Sequence, residues 1–105
     1  MKFQLVERDQ LMWPGMLGFI AAEGQPQLFG LPEWQAIVAR SKQLACVLSR
    51  RRKERPTFFF ASERDLGRVE LIYQHGYLWP VDAPRAGRDI MEEVTEHLNK
   101  LENGI

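Results

Sequence analysis

The stretch RVELIYQHGYLWPV, Arg68 to Val81, constrains the fold of this chain more than any other. Two alternating runs are separated by His75-Gly76, a pair whose second residue is a glycine, and this is the pattern of a two-residue β-hairpin turn. Once Gln74 pairs with Tyr77, the period of two along a strand assigns each side chain to a face. Val69, Leu71, Tyr73, Leu78 and Pro80 line one face, which is plainly core. Glu70, Ile72, Gln74, Tyr77, Trp79 and Val81 line the other. That second face is too apolar for a freely solvated surface, so Ile72, Tyr77 and Trp79 are candidate contact residues for the N-terminal hairpin, a second subunit, a ligand or bases. Pro80 lacks an N–H for a ladder bond and predicts that the strand Tyr77–Val81 lies at a sheet edge.

Other segments read by the same periods. KFQLVE, from Lys2 to Glu7, alternates briefly as a first strand, Pro14-Gly15 breaks the chain, and MLGFIAA, Met16 to Ala22, is an apolar run of strand length that can fold back on the first. Two glycines and two prolines make 23–32 a connection that tucks Leu28 and Phe29 under the fold. From Pro32 the spacing of Trp34, Ile37, Val38, Ser41, Leu44, Ala45 and Leu48 fits one stripe of a helix running to Pro56, with the basic residues in its last turn. Opposite that stripe Ala36, Ala39, Gln43, Cys46 and Val47 leave a smooth seam. TFFFA, Thr57 to Ala61, reads as a central strand, and 62–67 as a turn. A second helix is expected from about Gly87 to Leu101, with Ile90, Met91, Val94, Leu98 and Leu101 on one side.

The predicted order is β-β-α-β-β-β-α: an α+β two-layer sandwich, an antiparallel sheet of about five strands with two helices on one face. At 105 residues, 45% of them apolar, the chain fits a single domain that folds without metal or disulfide support. Its one cysteine, Cys46, has no intramolecular partner, and no stretch approaches the ~20 apolar residues that span a bilayer, so a reducing cytoplasm is the expected location.

Formal charge is zero, so overall balance predicts no attraction to a polyanion. The distribution is uneven. Arg50, Arg51, Arg52, Lys53 and Arg55 stand against Glu54 alone, while Asp89, Glu92, Glu93, Glu96 and Glu102 outnumber Arg88 and Lys100 in the C-terminal segment. The five cations are candidate phosphate contacts, with Trp79 and Tyr77 as stacking partners for bases. The plainer reading is a solvated helix end that meets a phenylalanine strand at Pro56.

Signatures of catalysis are absent: no Gly-rich phosphate loop, no nucleophile elbow, no HExxH, no CxxC. Glu93 and His97 stand four apart on the second helix, where a solvated surface pair is commoner than a metal or catalytic site. Cys46 has no histidine near it in sequence. Nothing calls for a cofactor or a metal. Met12, Trp13 and Met16, by contrast, concentrate adaptable apolar side chains in a connecting loop, as a tucked lid or a contact surface would. The sequence therefore predicts a non-catalytic binding or interaction module, homodimeric, that uses an aromatic sheet or loop surface. A nucleic-acid-binding protein using 50–55 is the alternative, and a small-molecule pocket near Trp13 the third reading.

Overall fold

The Arg68–Val81 hairpin forms with the expected register. In the computed structural model, which describes residues 3–7, 18–24, 29–48, 56–81 and 87–103, Gln74 pairs with Tyr77, Tyr73 with Leu78, Ile72 with Trp79 and Leu71 with Pro80. His75 (φ 54°) and Gly76 (φ 87°) both adopt left-handed backbone, the requirement of a type I′ turn. Around this hairpin lie β1 (Phe3–Glu7), β2 (Gly18–Ala22), α1 (Leu31–Val38), β3 (Leu44–Val47), β4 (Thr57–Ala61), β5 (Arg68–Gln74), β6 (Tyr77–Pro80) and α2 (Arg88–Glu102). The strands make one antiparallel sheet of six, in the order β1-β2-β6-β5-β4-β3. Both helices pack on the same face of it, and the fold is an α+β two-layer arrangement.

The sixth strand arises where a helix was expected. The Pro32–Pro56 helix stops at Val38, because Arg40 N–H and Ser41 N–H turn back to the Ile37 and Val38 carbonyls. Ser41 Oγ then accepts from the backbone N–H groups of Gln43 and Leu44, both at 3.0 Å. A serine that satisfies the amides two and three residues on offers the chain an alternative to the helical ladder. Leu44 to Val47 accordingly pairs with β4, Leu44 opposite Phe60 and Val47 opposite Thr57. The stripe at 34, 37, 38, 41, 44, 45 and 48, apolar apart from Ser41, fits a helix by coincidence; past residue 43 a period of two governs, with Leu44 buried and Ala45 and Val47 exposed. The smooth helical seam from Ala36 to Val47 is therefore not formed, and α1 has no basic residue in its last turn.

β6 is not an edge strand. It lies between β5 and β2, where Ile20 opposite Leu78 is the registered pair. Alternation along the β5–β6 ladder makes Leu71/Pro80 a non-hydrogen-bonded pair, which turns the proline nitrogen toward β2, beyond the registered stretch. No ladder bond there needs an N–H. Val81 N–H resumes pairing with the Glu70 carbonyl at 2.9 Å.

β4 lies one place from the edge of the described strands, and its phenylalanines are buried on one face only. Phe58 and Phe60 are 0% and 1% exposed, whereas Phe59 between them is 41% exposed. The core they enter is filled from the sheet by Phe3, Ile20, Leu71 and Leu78, and from the helices by Trp34, Ile37, Val38, Ile90, Met91, Val94 and Leu98. Each such side chain contributes roughly 1.5–3 kcal/mol on burial. Phe29, expected beneath the fold, is buried against Phe3 and Trp34, at ring separations of 5.1 and 5.6 Å.

Candidate functional site

On the face of the sheet away from the helices, the registers align one row across all six strands: Val6, Phe19, Trp79, Ile72, Thr57, Val47. Five of the six are apolar. Beside it run Gln4, Ala21, Tyr77 and Gln74 on one side, and Val81, Glu70, Phe59 and Ala45 on the other. The sheet therefore collects the apolar side chains of its outer face into one band.

Three rings form the centre of that band. Phe19 lies 4.5 Å from Trp79 and 4.8 Å from Tyr77, and the last two meet edge-on at 6.0 Å. Such ring pairs contribute about 0.5–1.5 kcal/mol beyond their area. Trp79 Nε1 donates to the Gln74 carbonyl at 3.1 Å, which holds the indole against the end of the hairpin with its face toward Phe19. All three rings are half-buried, Ala21 and Thr57 on the same face are buried, and the band runs out at Val81, Val47 and Phe59 with 40–45% of each exposed.

The sequence-predicted Ile72, Tyr77 and Trp79 are thus brought together. The sequence does not single out Phe19, because the run MLGFIAA is apolar at nearly every position and carries no alternation from which to read a face. Met12, Trp13 and Met16, and the phosphate-contact candidates Arg50, Arg51, Arg52, Lys53 and Arg55, lie outside the described residues. The points where the basic segment leaves and rejoins the sheet are described: Leu48, 59% exposed, follows Val47, and Pro56 precedes Thr57, at the β3 end of the apolar row.

A second cluster forms where α2 meets the turns of the sheet. Glu93 is buried, not solvated as a surface pair would be. Its Oε1 accepts from Ser62 Oγ at 2.6 Å and its Oε2 from the Glu63 backbone N–H at 3.0 Å. Burial alone would raise the Glu93 pKa, but these two bonds and the Arg64 guanidinium outweigh it and hold the carboxyl below its usual range. His97, one turn on, meets Ser41 Oγ through Nε2 at 2.6 Å. Desolvation lowers its pKa with help from Lys100, against the pull of Glu63 and Glu93. Glu63, Arg64, Glu96 and Lys100 rim a small polar cleft of about 120 Å³ over the pair.

The Ser41–His97 pair is not a nucleophile and its base. Ser41 Oγ already accepts two backbone N–H bonds, so both lone pairs with which it would attack are engaged. Cys46 is equally unsuited, since desolvation raises its pKa and keeps it a thiol, against a weaker opposing hydrogen bond from Gln35. Among the described residues no three His, Cys, Asp or Glu side chains converge as a metal site would need, and no helix is long and apolar enough to cross a membrane. Comparison with protein-family models, curated proteins and solved structures finds no match to this chain.

Proposed function

We propose that the chain is a non-catalytic interaction module that pairs with a second copy of itself through the outer face of the sheet, in a reducing, cytoplasmic setting. The observation that carries this reading is the continuous row Val6–Phe19–Trp79–Ile72–Thr57–Val47 with its half-buried ring cluster. A two-fold axis through such a band brings like against like, as an isologous interface requires. Six strands at ~4.8 Å spacing and three side-chain rows give a patch on the order of 500 Å². Two copies then bury roughly 1,000 Å², the small end of specific interfaces, so the dimer is weak and concentration-dependent. Sedimentation from micromolar to millimolar protein tests it, with Ile72→Glu as the interface variant. The dimer fraction rises with concentration in the unaltered chain and is lost in the variant at unchanged circular dichroism. A monomer throughout the range overturns the reading.

Nucleic-acid binding is the second reading. It is favoured by three rings gathered on the outer sheet face and by the attachment of the Arg50–Arg55 segment at Leu48 and Pro56, where the apolar row ends. Bases stack on such rings irrespective of sequence, while phosphate contacts make affinity fall with salt, about 0.7 in log–log slope per contact on a single strand. Titration with mixed oligonucleotides at low salt separates the two readings. Binding that fades with salt and with Trp79→Ala supports this one, and no binding at low salt removes it.

A further inference from the structure

Ser41 and Ser62 play matching parts at two turns. Each Oγ accepts from two backbone N–H groups of the chain that follows: Gln43 and Leu44 at 3.0 Å for Ser41, Arg64 at 3.0 Å and Leu66 at 3.3 Å for Ser62. Each then meets a side chain of α2 at 2.6 Å, Ser62 at Glu93 and Ser41 at His97. A hydroxyl oxygen has two lone pairs and one proton. With both lone pairs of Ser41 taken, its proton must go to His97 Nε2, and Nε2 must be bare. His97 is therefore neutral, its proton on Nδ1. An imidazolium would aim an N–H at an oxygen with no lone pair to receive it. The two serines differ in this respect, since a carboxylate remains an acceptor down to low pH and an imidazole does not.

We propose that the Ser41–His97 contact is a proton-released latch: it holds the Ala39–Gln43 connection and the start of β3 on α2 while His97 is neutral, and lets them go when the ring takes a proton.

The latch governs the hold of α2 and not that of the sheet, because Gln43 stays tied to β4: Ala61 N–H donates to its carbonyl at 3.0 Å and its Nε2 donates to the Ala61 carbonyl at 3.2 Å. Among the described strands β3 stands at the edge with β4 as its neighbour, and the Leu44 amide at its start is bonded to Ser41 itself. A further tie between this connection and α2 is the solvated Arg40–Glu102 pair at 3.7 Å. Charged groups face His97 from each side. Glu93 and Lys100 flank it on α2, Glu63 comes from the β4–β5 turn, and Arg64 from the same turn is bonded to Glu96 at 2.7 Å. Phe60 of β4 covers the ring at 5.7 Å, and Gln43 rims the cleft. Glu63 and Glu93 favour the imidazolium, whereas Lys100 and the dominant desolvation oppose it. Protons therefore bind the open arrangement more readily than the closed one. The latch is firm above about pH 6.5 and loosens as pH falls below it. It shares no residue with the outer face and is independent of the interaction reading.

Amide hydrogen exchange at pH 7.5 and 5.5, corrected for intrinsic rates, tests the latch. Protection at Gln43 and Leu44 falls at pH 5.5, by up to about tenfold, because opening there is coupled to a proton of ordinary histidine affinity. Arg64 and Leu66, held through Ser62 and Glu93, keep theirs. His97→Gln retains an acceptor but cannot take a proton, so its protection at Gln43 and Leu44 does not change with pH. Nitrogen-15 spectra at pH 7.5 show the His97 proton on Nδ1, and Ser41→Ala abolishes that tautomer preference. Equal protection at both pH values, an undiminished fall in His97→Gln, or a proton on Nε2 at pH 7.5 each overturns the proposal. If His97→Gln does not fold, the unaltered chain decides it through its tautomer and through the contrast between Leu44 and Leu66.

Discussion

The side-chain amide of Asn99 takes the place of a neighbouring strand beside Phe3: Oδ1 accepts the Phe3 N–H at 2.8 Å, and Nδ2 donates to the Phe3 carbonyl at 3.0 Å. β1 is a sheet edge, and this pairing, buried on α2, occupies the groups that an edge strand would otherwise leave open. Asn99→Ala strands two buried backbone groups and should cost about 2–6 kcal/mol, since each unsatisfied group costs roughly 1–3 kcal/mol. Denaturant titration reads this directly. A loss well under ~1 kcal/mol would mean that water replaces the amide and the pairing is incidental.

Phe58 and Phe59 are neighbours in sequence with opposite surroundings, fully buried and 41% exposed. Phe58→Ala should lose about 3–5 kcal/mol through transfer and cavity costs, and Phe59→Ala less than ~1 kcal/mol. Similar losses at the two positions would contradict the β4 register.

Gly18 opens β2 at φ 151°, and a Cβ built there would stand 2.6 Å from the Val6 carbonyl oxygen. That contact is with backbone, which cannot step aside cheaply. Gly18→Ala should destabilise by about 1–3 kcal/mol and shift the amide resonances of Val6 and Phe19 first. An unchanged melting midpoint would show that the β1–β2 pair does not close as described.

Glu93 ties acid stability to the Ser62 turn. Its carboxyl titrates below the usual range when folded, so the unfolded chain binds the proton first as pH falls. Stability from this group is complete above about pH 4.5 and is lost as pH drops through the folded value. Glu93→Gln should lower stability at pH 7 by roughly 1–3 kcal/mol, the range for a hydrogen bond to a charged group, and flatten the decline below pH 5. Unfolding curves at pH 7 and pH 4 that differ equally in both proteins would assign the acid sensitivity elsewhere.

What the sequence determined by itself are the features set by neighbours along the chain. The His75-Gly76 turn pinned Gln74 to Tyr77 and, through the period of two, placed Ile72 and Trp79 on one face and Leu71 and Leu78 on the other. The period of 3.6 along α2 placed Ile90, Met91, Val94 and Leu98 inward. Where several periods fit the same residues, tertiary pairing decided. Leu44–Val47 is a strand because Ser41 ends the helical ladder and the β4 edge is there to pair with it. β6 lies inside the sheet because β2 needs only a short ladder beside Leu78. Phe19 joins Trp79 only once those two strands are adjacent. Ser41 with His97, and Phe3 with Asn99, stand 56 and 96 residues apart, so no local pattern announces them. Hydrogen bonds between distant polar side chains depend on where the packed core brings the backbone, and short-range periodicity contains no record of that.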